Sequence, residues 1–526
     1  MRRLAAWSAA LSMMALPALA QDWTTIGNDA QRSSWLRSDS KITPTTVGTP
    51  EFQLAWKMQL ENEVRGPHAL TPPVLLDFLI SHQGFRSLAF LGGSEGAVFT
   101  IDTDLARKEW ERRFGMEMQY PAVTAECPGG MTSSLSRPTT TALPALAGIS
   151  GFGSRRREPG VSDVGQPGQG AVTLAARPAA PVVSPEAPKR NPRSQAAPRR
   201  SLRGLTLVYA LTGDGDLRRM LASNGYDYEP PIPFLPPNAN AQGLIVVDDE
   251  TAYVATSNGC GGVADGVWAL DIESGKKTSW KSGAGTVAGA VGPAMAPDGT
   301  LYVATSDGRV VALEPKTLSQ QAVHKASGQS FVTAPVLIDL NDKDYIAVAA
   351  QDGSVHLLAG ANLSGAEVAK TPGYAGAQKF APGALATWRD FSGSTWLLQP
   401  IGGAPPSGAG LSSNGSVSQG AIVAWKIVEK DGGYAFEGGW VSPDLGSPLP
   451  PIVVNGVVFA ADGGDLASGR PAKLYALDGV SGKALWDSGR TITAPAPTGG
   501  LSAGGGRVYL GAHDNTLYAF GFPIEH

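Results

Sequence analysis

A short phrase returns along the whole chain: two apolar runs flank a tight turn, followed by a small acidic tag and a tryptophan. Its clearest copies are Tyr475-Ala476-Leu477-Asp478 with Gly482-Lys483-Ala484-Leu485-Trp486, and Trp268-Ala269-Leu270-Asp271 with Gly275 and Trp280. Weaker copies are Phe99-Thr100-Ile101-Asp102 with Trp110, Val311-Ala312-Leu313-Glu314 and Tyr518-Ala519-Phe520-Gly521. Aligning the tags gives Asp102, Leu221, Asp271, Glu314, Ala359, Lys426, Asp478 and Gly521, with tightest spacings of 43 (271 to 314, and 478 to 521) and 45 (314 to 359). A period of ~40–50 residues belongs to a four-stranded propeller blade. Within a unit, Leu301–Thr305 and Arg309–Leu313 flank Asp307-Gly308. Asp-Gly between apolar runs is a hairpin signal, because both central residues tolerate positive φ. Glu95-Gly96, Asp214-Gly215, Asp352-Gly353 and Asp514-Asn515 hold the equivalent places.

The chain ends sharpen this into a closure argument. Only five residues follow Gly521, too few for a fourth strand, whereas Phe52-Gln-Leu-Ala-Trp56-Lys-Met looks like a fourth strand with no repeat before it. The expected fold is therefore all-β: an eight-bladed β-propeller of four-stranded blades over 52–526, its ring closed by an N-terminal strand at 52–60. Closure removes sheet edges that would otherwise template aggregation. The composition agrees, with 66 Gly, 40 Pro and only 17% charged residues suiting many short strands and turns.

Residues 1–20 read as a secretory signal: Arg2 and Arg3, an apolar Leu4–Leu16 stretch, then Ala18-Leu19-Ala20. That apolar run is shorter than the ~20 residues needed to span a bilayer, and no later stretch is apolar enough. The expected product is periplasmic or secreted and does not span the membrane. No cysteine follows the cleavage site, so a lipid anchor is not expected. Without Arg2 and Arg3 the balance is 40 basic against 46 acidic residues, which gives no reason to expect a nucleic-acid partner. Residues 21–51 form an N-terminal segment. Residues 137–203, rich in Pro, Ala, Gly and Arg, read as a disordered insertion between the first and second strands of blade 2, at the face we call the bottom. Residues 402–419, rich in Gly and Ser, read as a flexible loop or lid on the opposite, top face of blade 6.

Chemistry is sparser. Cys127 and Cys260, the two cysteines, fall in glycine-rich top-face loops of neighbouring blades, and a disulfide is expected in an oxidising compartment. Covalent-haem, zinc-protease and nucleophile-elbow motifs are absent, so no catalytic residue is assigned. The acidic tags sit on different blades at strand exits, where Asp bonds the following turn, so no metal site is expected from them. The repeated tryptophans read as packing between blades. His82, His324 and His356 read as surface or packing residues. Arg65 and His68, with Asn258 beside Cys260, are the top-face candidates for contacting a ligand, although loop polar groups are more often simply solvated.

The A-L-D-x-x-[ST]-G-K-x-x-W phrase, complete at 476–486 and one residue longer at 269–280, resembles the pyrroloquinoline quinone (PQQ) repeat propellers of the quinoprotein alcohol dehydrogenase-like superfamily. Asp22-Trp23-x-x-x-Gly27-Asn28-Asp29 with Trp35 is similar to that family's opening segment. The resemblance implies two readings. One is an exported binding or scaffold module of the cell envelope, with an envelope protein or small molecule at its top face and no cofactor. The other is a PQQ-dependent dehydrogenase of alcohols or sugars. That reading requires calcium with Glu and Asn ligands, a catalytic Asp and adjacent cysteines over the quinone; here Cys127 and Cys260 lie far apart.

Overall fold

The computed structural model describes residues 22–81, 84–115, 123–139, 205–497 and 500–523. The chain divides into a ring unit and the segment Gly148–Leu205, of which Leu205 alone is described. The expected signal segment, His82 and all but the first three residues of the expected 137–203 insertion lie outside the described residues.

Eight sheets form the eight expected blades. Blade 1 runs Val74–Ser81, Gly84–Gly92, Ala97–Asp102 and Arg107–Arg113, from the axis outwards. The closing strand is where the sequence put it. Gln53–Gln59 pairs antiparallel with Thr516–Gly521 and supplies the outermost strand of blade 8, after Leu501–Gly504 and Arg507–Gly511. Phe52 is buried against the edge of Trp486 on blade 7, so the latch also spans a blade boundary.

Tags and tryptophans explain how blades dock. Asp102, Asp271 and Asp478 each accept hydrogen bonds from backbone N–H groups two or three residues on, closing the turn after the third strand. The residue after a tag then offers its carbonyl to a tryptophan of the preceding blade. Trp56 of blade 8 donates to Thr103 O (3.0 Å), Trp110 of blade 1 to Ala222 O (3.0 Å) and Trp440 of blade 6 to Gly479 O (2.9 Å). One indole thus buries its ring between blades and satisfies a carbonyl that the turn would leave free. In the top-face turns only the second central residue takes positive φ, at Gly96, Gly215, Gly308, Gly353 and Asn515, while Glu95, Asp214, Asp307, Asp352 and Asp514 do not.

Three departures from a uniform four-stranded ring follow from sequence insertions. Blade 2 has three strands, Leu207–Leu211, Asp216–Leu221 and Ile232–Pro233, and its inner position is reduced to a bridge between Ser136 and Tyr209. Pro138–Thr139, expected to open the disordered insertion, instead pairs parallel with Val246 and Val247 of blade 3. The 402–419 loop is not a lid over the axis. Its Ser412–Ser413 pairs with Trp440 and Val441 as a fifth, peripheral strand of blade 6, and the Asp444 carboxylate holds it by accepting from Ser418, Gln419 and Gly420. Of the other histidines, His356 is buried with Nδ1 2.7 Å from Glu367 Oε2, a packing role.

The N-terminal segment does something the repeat could not announce. The innermost strands turn one edge toward the axis, and those N–H and C=O groups need partners. Residues 23–39 supply them blade by blade, in order. Trp23 O accepts from Leu75 N of blade 1 (2.8 Å), Thr24 O from Arg137 N of blade 2 (2.8 Å), and Thr25 Oγ1 donates to Leu244 O of blade 3 (2.7 Å). Ala30, Gln31, Ser33 and Ser34 carbonyls accept from Met295, Leu337, Thr387 and Val453 of blades 4 to 7, and Asp39 Oδ2 from Gly506 N of blade 8. So tight a curl needs left-handed backbone, found at Gly27 (φ 74°), Asn28 (73°), Arg32 (62°) and Ser34 (54°). Trp35–Leu36 then adds a parallel strand inside blade 7. The segment is an axial plug.

At the plug's centre lies Arg32, 1% exposed. Nε donates to Pro293 O (2.9 Å), one terminal nitrogen to Thr25 Oγ1 (3.1 Å) and Ile26 O (2.7 Å), and the other to Gly243 O (2.6 Å). Burial pulls its pKa down to about 9, opposed by the carboxylate of Asp29, so the side chain is still a cation at neutral pH. One guanidinium therefore ties blades 3 and 4 to the plug through charge-assisted bonds.

Candidate functional site

Above the plug, the axis opens toward the top face as a funnel of about 280 Å³. Its floor is Ile26, Gly27 and Ser34 of the plug, and its wall comes from segments entering the innermost strands. Blade 1 gives His68–Pro72, blade 6 gives Phe380–Ala384, and blade 7 gives Ser447–Ile452. Proline recurs around it at positions 72, 382, 448, 450, 451 and 497. This follows from topology, since every outer strand must cross the top face to reach the next axial strand. Proline fixes φ on such crossings, which makes the wall stiff before anything binds.

The funnel is uncharged. Among the described residues lining it there is no Asp, Glu, Lys, Arg, Asn or Gln; the polar groups are His68 and hydroxyls such as Ser34, Thr71 and Thr132. Burial lowers the His68 pKa, and the nearby His513 lowers it further, so His68 is neutral at physiological pH.

Of the three top-face candidates, only His68 faces the funnel. Arg65 is buried and donates from Nε to Pro128 O (2.8 Å), while its backbone pairs with that of His68. Asn258 sits at φ 65° and donates to Glu126 O (3.1 Å), a carbonyl that Asn240 also reaches (3.1 Å). Both candidates thus clamp the loop carrying Cys127. That loop is joined to Cys260 by the expected disulfide, with Cα atoms 5.5 Å apart. Met131 and Thr132, just beyond the clamped loop, line the funnel, so disulfide and clamps together fix one side of its mouth.

Residues 235–379, spanning blades 3 to 5, match the family model described as outer membrane protein assembly factor BamB. That match covers little more than a quarter of the chain and agrees with the repeated phrase there. The chain is a β-propeller with PQQ-type repeats in that stretch. No curated protein matches the sequence significantly. Among solved structures, the propeller is similar to the quinohemoprotein alcohol dehydrogenase from Comamonas testosteroni (TM-score 0.54, 14% identity, covering 96% of this chain and 81% of that one). It is also similar to the quinohemoprotein alcohol dehydrogenase ADHIIG from Pseudomonas putida HK5 (TM-score 0.56, 11% identity, 96% and 81% covered). A europium-containing methanol dehydrogenase aligns over 95% of this chain and 98% of its own (TM-score 0.52, 12% identity). At these identities the likeness is one of fold.

The funnel can be tested for fit to a quinone and its calcium. Calcium takes oxygen ligands, chiefly carboxylates and amide carbonyls, and the acidic quinone needs a cation opposite it. The described lining offers no side-chain carboxylate, amide or fixed cation, and the disulfide lies in the loop beside the mouth rather than between adjacent residues. No group of three or more His, Cys, Asp or Glu suited to a metal occurs among the described residues. The residues present do not fit the group.

Proposed function

We propose that this PQQ-repeat propeller is an exported binding module of the cell envelope that receives an apolar element of a protein partner in its axial funnel. The observation that carries this reading is the stiff, uncharged, apolar funnel, which suits side chains better than an ionic cofactor. Its volume accommodates one or two large apolar side chains, each worth about 1.5–3 kcal/mol when fully buried. The disulfide suits an oxidising compartment, and the matched family description, an assembly factor, is that of a protein acting on proteins. The apolar lining gives no specific support to an alcohol or sugar dehydrogenase.

An uncharged site has no ionic contribution for salt to screen. The neutral dye N-phenyl-1-naphthylamine should therefore bind saturably, with an affinity that changes little between roughly 0.05 and 0.5 M NaCl. Ala290→Glu, which sets a charge on an exposed position of the wall, should abolish that signal. Dye binding that the substitution leaves intact would place the apolar site elsewhere and remove the support for this reading.

A further inference from the structure

The hairpin joining the first and second strands of blade 1, on the bottom face, is longer than its counterparts. Its first strand, Val74–Ser81, has 8 residues, where the first strands of blades 4 to 8 have 2 to 4. The surplus forms a finger. Leu79 turns inward and is buried, but Phe78 (59% exposed), Ile80 (70%) and Phe85 (71%) face water. Ile80 lies opposite Phe85 across the hairpin, and the Phe78 and Phe85 rings stack at 5.0 Å. A hairpin end needs no apolar residues to fold, and a contiguous exposed apolar patch marks a contact surface. Beside the finger, Arg86 and Arg107 share the one carboxylate of Glu109, and Arg107 is exposed, so this flank carries excess positive charge. Of the neighbouring acids, Asp104 is paired with Arg507, and Asp77 turns toward Gly505 of blade 8.

On the opposite face, the funnel rim above blades 1, 2 and 8 has the complementary sign. Its loops are tied together: Asn62 Nδ2 donates to Asn515 Oδ1 (2.7 Å), Glu63 N to Glu95 Oε2 (2.9 Å) and Arg65 Nε to Pro128 O (2.8 Å). They expose Glu63, Glu126 and Asp514, none with a cationic partner among the described residues, while the nearby Arg113 is held by Glu95 and Glu111. We propose that the apolar element received by the funnel is this finger on a second copy of the chain, so that copies associate bottom face to top face. Phe78 and Phe85 are two large apolar side chains, the load that the funnel accommodates, and Arg107 meets the acidic rim. Finger and funnel lie on opposite faces, so the contact is heterologous and repeats from copy to copy instead of closing as a two-fold dimer. Two rings and an isoleucine offer less than the ~800 Å² per partner of a stable complex, so the association is weak and concentration-dependent. This inference rests on the funnel reading above.

In sedimentation velocity the full chain should show a coefficient that rises from micromolar to submillimolar protein. Two variants should each stay monomeric: Phe78→Ser with Phe85→Ser, which removes the finger, and Ala290→Glu, which charges the funnel. Mixed in equal amounts they should form a dimer and nothing longer, because one intact funnel and one intact finger remain. High salt should weaken the wild-type association severalfold, unlike dye binding. At dilute concentration the finger variant should bind the dye as wild type does, and a wild-type circular dichroism spectrum reports that Ala290→Glu folds. Dye binding without self-association, or a mixture that stays monomeric, would overturn the proposal and leave the funnel reading standing. A wild-type protein that binds no dye would remove both. Flotation of a monomeric wild type with phosphatidylcholine vesicles, lost in the finger variant, would assign the finger to a lipid surface and overturn the proposal as well.

Discussion

Arg32→Met should destabilise the ring by about 3–5 kcal/mol, the range seen when a buried charged network loses one partner. The substitution is close in length and leaves no bulk to clash, so the loss isolates the guanidinium. Three backbone carbonyls, of Ile26, Gly243 and Pro293, and the Thr25 hydroxyl would each lose a buried donor. Arg32→Lys should recover little of the loss. An ammonium has no planar fork, and it cannot face acceptors on the plug, blade 3 and blade 4 at once. Urea unfolding followed by far-ultraviolet circular dichroism reads both variants. A midpoint for Arg32→Met close to wild type would mean that the plug is ornamental and the ring holds without it.

Loss of the disulfide is the second large effect. Cys127 and Cys260 are 133 residues apart, and closing a loop of that length is worth about 5 kcal/mol in the chain-entropy model. Cys127→Ser with Cys260→Ser should lose less, about 3–5 kcal/mol, because Arg65, Asn240 and Asn258 still hold the Cys127 loop through its carbonyls. Reduction of the wild-type protein should lower its urea midpoint to that of the double variant, which reductant should leave unchanged. Dye affinity in the funnel should fall as well, since Met131 and Thr132 follow that loop directly into the wall. A double variant as stable as wild type would show that the clamps alone fix the mouth.

The ring was legible because its signals are local and repeated. Asp-Gly turns, acidic tags and tryptophans recur at blade spacing, and each does one physical thing at several blades. Five turns take positive φ, three tags close the next turn and three indoles bond a neighbouring blade's carbonyl. The closure at Trp56 was legible for a different reason: a strand was missing at one end and spare at the other. The plug was not legible beyond its likeness to an opening segment. It binds six of the eight blades through backbone carbonyls, which any residue carries, so little side-chain pattern marks it. The one hint was Gly27-Asn28, a pair that takes positive φ readily, and both do so here. Arg65 and Asn258 stood out in sequence as polar groups in glycine-rich loops, and that is also what a loop needs to satisfy its own buried carbonyls. The 402–419 segment reads as flexible by composition, yet Asp444 lies 25 residues from Gln419 in sequence and no local pattern links them.

The central claim is that this PQQ-repeat propeller uses an uncharged axial funnel for binding and holds no quinone there. Titration of the purified protein with PQQ and calcium, followed by absorbance and by alcohol- or sugar-dependent dye reduction, tests it most directly. The account predicts no stoichiometric uptake at saturating cofactor and no substrate-dependent turnover. Stoichiometric binding with turnover, lost in Ala290→Glu, would contradict it.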